Sequence, residues 1–124
     1  MRDDERVFSV EQANAELADL RERLPRLRQA RRALIHASQR ITEAVASDGG
    51  GVAGNDWFEA QAVLKADVTS LAERGILLRD PESGLVDFPG ERGGHRVYLC
   101  WRLGEDHVAH WHPPETGMAG RQPL

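Results

Sequence analysis

His110 and His112 are the residues whose type and spacing most directly suggest chemistry. Alternate residues of a strand project from one face, so a His-x-His pair sets two imidazoles about 6.5–7 Å apart at their Cα atoms. Imidazole suits zinc, copper, iron or nickel, and two such rings could chelate a transition metal or hold a haem. His95 on the same face, or His36 on the first helix, is the expected further ligand. Cys100 is a weaker candidate as a nucleophile, since a lone cysteine is most often a small buried hydrophobe. Asp87 interrupts an apolar strand, Glu105 lies in a turn, and Arg121 can pair with either and pin the C-terminus. Nothing marks a second carboxylate in a perturbed environment, so these three read as structural contacts and no catalytic residue is assigned.

Most of these side chains fall between Gly84 and His112. That stretch carries two of the three tryptophans, the only tyrosine, the only cysteine and four of the five histidines. Apolar alternation on both sides of a Gly-Glu-Asp turn predicts an antiparallel hairpin. A turn centred on Glu105-Asp106 would pair Arg102 with Ala109, Trp101 with His110, Cys100 with Trp111 and Leu99 with His112. One face then carries His95, Val97, Leu99, Trp101, Leu103, Val108, His110 and His112, and as the more apolar face it should meet the helices. The other carries Tyr98, Cys100, Arg102, Ala109 and Trp111, away from the histidines. Trp101 and Trp111 are expected to make structural or partner contacts.

The elements that must support this hairpin are helical. Ser9-Val-Glu-Gln12 is a capping-box pattern, and Glu11 suits the positive end of a helix. Leu17, Leu20, Leu24, Leu27, Leu34, Ile41 and Val45 keep a three–four spacing, a coiled-coil-like seam. Pro25 lies inside it and should kink or split a helix running from about Val10 to Ala46. The glycine-rich stretch 47–54 reads as a flexible turn, because no Gly-Lys-Ser/Thr follows it. Asn55 or Asp56 caps a second helix with Trp57, Ala60, Leu64, Val68 and Leu71 on its apolar face, closed by Gly75. Short strands follow, and Pro113-Pro114 begins a tail.

The expected architecture is α+β: a long antiparallel helical hairpin (9–75), its first helix kinked at a proline, packed on a small antiparallel β-meander (76–112), with an extended docking tail (113–124). At 124 residues this reads as a single domain. No apolar run approaches a membrane span, the opening MRDDERVF is too polar for a secretory signal, and one cysteine cannot make an internal disulfide. A cytoplasmic setting is therefore expected. The net charge of −4 is uneven. Residues 21–40 hold seven arginines against Glu22, with Arg21, Arg28 and Arg32 on roughly one side. A solvated face or an acidic protein partner is favoured there over nucleic acid, because interleaved aromatics and a docking motif are missing.

GLVDFP, VYLCWRLGE, the distal Trp-His pair, a terminal Gly-x-x-Gly-Arg-x-Pro and the opening Phe-Ser-Val-Glu-Gln-Ala-Asn together resemble the bacterial domain of unknown function 2203 (DUF2203) family. The likeness spans nearly the whole chain and implies a small cytosolic bacterial protein with no assigned activity. Relatives commonly carry Tyr at the position of His110 and an acidic residue at that of Pro113, so a site built on either position would not be a family property. Two functions are expected from these readings. The first is a non-catalytic interaction or adaptor module that forms a homodimer through the first-helix seam. The second is a metal- or haem-binding protein using His110 and His112.

Overall fold

The computed structural model describes residues 6–48 and 55–124, with side chains from 6–40 and 57–124. The glycine-rich turn, the side chains of Ile41 and Val45 and the proposed Asn55/Asp56 cap lie outside the described residues. Three helices, α1 (Val10–Ala15), α2 (Leu17–Asp48) and α3 (Asn55–Glu73), precede five strands. The strands are β1 (Leu77–Asp80), β2 (Leu85–Arg92), β3 (His95–Arg102), β4 (His110–His112) and β5 (Gln122–Pro123). They form one antiparallel sheet in the order β1-β2-β3-β4-β5, so the fold is α+β.

The chain enters α1 through the Ser9 box. Ser9 Oγ accepts from the Gln12 N–H at 3.0 Å, and Gln12 Oε1 accepts from the Ser9 N–H at 2.9 Å, which satisfies two groups that a helix start leaves open. Phe8 is tied to the sheet by its N–H to the Pro89 carbonyl at 2.7 Å, and its ring meets Phe88 edge-on at 5.2 Å. The interruption in the first arm falls at Glu16, and α2 runs through Pro25 without a split. A prolyl ring removes one backbone bond, and packing on both sides of Pro25 outweighs that loss: Leu24 and Leu27 are buried. At the end of α3, Gly75 takes φ +78, the Ile76 N–H reaches the Leu71 carbonyl at 3.0 Å, and both apolar side chains are buried. This is the glycine cap with its hydrophobic contact.

Leu17, Leu20, Leu24 and Leu27 pack with Leu71 and Ile76 against Val86, Phe88, Leu99, Trp101 and Val108. The first half of the seam is thus consumed by the chain's own sheet. Arg74 pairs with Glu16 and with Asp19 (2.9 Å), while Arg23 and Arg26 both reach the buried Asp67 at 2.7 Å. These contacts lock α3 antiparallel to the first arm.

The basic block is occupied in the same way. Arg31 and Arg32 bind the Glu82 carboxylate at 3.0 and 2.7 Å, and Arg28 Nη1 donates to the Glu82 carbonyl at 3.0 Å. Arg21 Nη2 donates to the Asp106 carbonyl at 2.6 Å. Arg21, Arg28 and Arg32 each donate to an acceptor within the chain.

Candidate metal centre

The pairing of β3 with β4 differs from the sequence-based register by one residue. Tyr98 faces His112, Leu99 faces Trp111 and Cys100 faces His110. A one-residue slip exchanges the two faces of a strand, so His110 and His112 join Cys100 instead of Trp101. The cause is the connection between the strands, which is a wide loop and no two-residue turn. Gly104 takes φ +107 and the Glu105 N–H closes on the Arg102 carbonyl at 3.0 Å. Glu105 then holds the loop centre: its carboxylate accepts the Arg102 N–H at 2.8 Å and its carbonyl accepts Trp101 Nε1–H at 3.1 Å. Beyond it the chain peels away to bury Val108, whose N–H donates to Asn14 Oδ1 at 2.8 Å.

Since β2 pairs Asp87 with Cys100, one row across the sheet reads Leu77, Asp87, Cys100, His110, Pro123. This row lies on the face opposite the helices, beneath the C-terminal segment. The expected ligand set is thereby divided. His110 and His112 share the row's face. His95 stands with Val97 and Leu99 on the helix face, and His36 is exposed on α2; neither can join the pair. Asp87 and Cys100 take their place.

Asp87, Cys100 and His112 are each almost completely buried, and their donor atoms lie within 4.8 Å of one another. His112 Nε2 is 2.9 Å from Asp87 Oδ2, and its Nδ1 is 2.8 Å from the Pro113 carbonyl. Arg79 Nε donates to the same Asp87 oxygen at 2.8 Å, with its guanidinium over the Tyr98 ring. Cys100 Sγ is 3.9 Å from Met118 Sδ. A cavity of about 370 Å³ opens here, lined by Arg79, Asp87, Cys100, His112, Pro114 and Met118 among others. Asp87 Oδ1, His110 Nδ1 and Arg121 Nε are buried beside Cys100 without an oxygen or nitrogen partner among the described residues, and the thiol itself interacts with Asp87 and Arg121.

Electrostatics narrows the chemistry. Burial pushes the Cys100 thiol up to about 11, the Asp87 charge adds to this, and Arg121 opposes it. At neutral pH only roughly one thiol in 10⁴ is then ionised, which is unsuited to a nucleophile. A Cys–His–Asp triad also fails on geometry, because the second His112 nitrogen is spent on the Pro113 carbonyl and not on Sγ. Burial raises Glu105, but the Arg121 guanidinium at 2.5 Å and the Arg102 amide outweigh it and hold the carboxyl below its ordinary range. Glu105 and Arg121 thus tie the loop to the tail. One thiolate, one imidazole and one carboxylate are, by contrast, a transition-metal donor set. Tetrahedral bonds of 2.0–2.3 Å place donors about 3.3–3.8 Å apart, so closing on an ion needs shifts of roughly an ångström.

Trp101 is fully buried in the core with Arg21 5.8 Å from its ring, and Trp111 is half-buried on the helix face with Arg92 4.8 Å from its ring. Neither lines the cavity. Met118 was legible only as an apolar residue in the tail. Asp87 carried a signal, a carboxylate between Val86 and Phe88; Cys100 carried none that survived the misplaced turn.

The family model described as an uncharacterized conserved protein (DUF2203) matches residues 6–124. No curated protein and no solved structure matches the chain.

Proposed function

The chain belongs to the DUF2203 family, and from its own geometry we propose that it is a metal-binding protein whose site is Asp87, Cys100 and His112. The observation that carries this reading is the convergence of three different metal-donor types, all buried, within 4.8 Å of one another. His110 stands opposite Cys100 in the row, its Nδ1 without a partner among the described residues. Haem is disfavoured by the cavity's size: about 370 Å³ is at the small end even for compact organic ligands. An ion held by a free thiol belongs in a reducing compartment, so a cytoplasmic setting is part of the proposal. No helix among the described residues is long and apolar enough to cross a membrane.

Cobalt(II) tests the reading, because it substitutes for zinc and its thiolate bond gives a near-ultraviolet charge-transfer band. Wild-type protein should take up one equivalent with that band. Cys100→Ser and His112→Ala should lose it while keeping the wild-type circular dichroism. A wild-type titration with no thiolate band would overturn the proposal.

A second reading, a self-associating interaction module, is favoured by Ile35 and Phe58, which are 43% and 59% exposed on α2 and α3. The antiparallel run fixed by Arg23 and Asp67 sets them near the same level of the helix pair. A clean monomer by light scattering at tens of micromolar would remove it.

A further inference from the structure

Resting on the metal-site reading above, we infer that Met118 is a ligand and that the ion is copper(I). Met118 Sδ sits 3.9 Å from Cys100 Sγ and lines the same cavity. With metal–sulfur bonds of about 2.3 Å, that separation corresponds to a sulfur–metal–sulfur angle of about 116°, so an ion can bridge the two sulfurs where they stand. Met118 is not on a loose end. The turn Gly117–Gly120 that carries it is followed by Arg121 on Glu105 at 2.5 Å, by β5 on β4, and by the Leu124 N–H on the Ala109 carbonyl at 2.9 Å.

Thiolate, thioether and imidazole are soft to borderline donors, a set that selects copper(I) over harder divalent ions. Copper(I) binding replaces the thiol proton, Cys–SH plus Cu(I) giving Cys–S–Cu plus H⁺. With Nδ1 held by the Pro113 carbonyl, Nε2 is the nitrogen that turns to the ion, exchanging its hydrogen bond to Asp87 Oδ2 for the metal and releasing the proton of that bond, and His112, Cys100 and Met118 supply the soft donors alongside the Asp87 carboxylate.

The test uses the full chain, reduced and anaerobic, with copper(I) supplied against bicinchoninate as competing chelator and cobalt(II) titrated separately. Met118→Leu keeps the side-chain volume and the fold, which thermal melts verify. The expected result is a copper(I) affinity lower by about 10–100-fold, a cobalt(II) affinity changed by less than about threefold, and loss of one sulfur from the copper X-ray absorption shell. An unchanged copper(I) affinity, or an equal loss for both ions, overturns the assignment. Wild type that binds cobalt(II) through Cys100 but not copper(I) overturns this inference and leaves the metal-site reading standing; wild type that binds neither ends both.

Discussion

Cys100 separates the readings of this molecule most sharply. Its thiol is buried and pushed up to about 11, so in the metal-free protein it should react with a disulfide reagent at pH 7.5 at least about a hundredfold more slowly than a free thiol. Labelling at the rate of an exposed cysteine would contradict the buried placement. Its partners were only partly readable in the sequence. Asp87 stood out as a charge inside an apolar strand, and Arg121 as a cation able to reach Glu105. Cys100 stood apart from the histidines for one reason, the assumption of a tight turn. That error is physical in origin: alternation along a strand states which residues share a face, but the connection decides which face meets which across the pair.

Among the elements, the helices were the more legible. A capping box, a heptad-like spacing and a glycine followed by an apolar residue are local devices, and each is satisfied within a few residues of itself. The loop 103–109 depends instead on Asn14, far away in the chain, and no local rule reaches that contact. The tail depends on tertiary partners too. It gives the cavity Met118, and it is held by β5 on β4 and by Arg121 on Glu105. Deleting residues 117–124 should therefore lower the melting temperature by several degrees, about 1–2 kcal/mol for a chain of this size, and should speed labelling of Cys100. An unchanged melt together with unchanged labelling would show that the tail does not hold this face closed.

Over the whole molecule, charge is arranged to close contacts within the chain. The basic block of α2 read in the sequence as a solvated face or a site for an acidic partner, and in the structure Glu82 takes up Arg31 and Arg32 while Asp67 takes up Arg23 and Arg26. Asp19 shows the consequence for stability. Its hydrogen bond from Arg23, opposed by burial and reinforced by Arg74, lowers it to about 2. A carboxyl depressed on folding binds fewer protons in the native than in the unfolded state. Its contribution is therefore present above about pH 4 and is lost as pH falls towards 2. Glu82, held below its ordinary range chiefly by Arg32, adds in the same direction. Asp19→Asn should give a stability curve that is flatter between pH 4 and 2, read by chemical denaturation across that range; a wild-type acid limb in the variant would count against the pairing. The same internal pairing, together with burial of the first half of the leucine seam by the chain's own sheet, confines the argument for a dimer to the seam beyond Leu27 and to the exposed Ile35 and Phe58.

The central claim, that Asp87, Cys100 and His112 converge to hold a metal ion, is tested most directly by X-ray absorption at the metal edge of the loaded protein. The account predicts a shell containing sulfur at about 2.3 Å together with nitrogen or oxygen at about 2.0–2.2 Å, with the Cys100 sulfur lost in Cys100→Ser. A shell of nitrogen and oxygen alone, unchanged by that substitution, would place the ion on other side chains and contradict it.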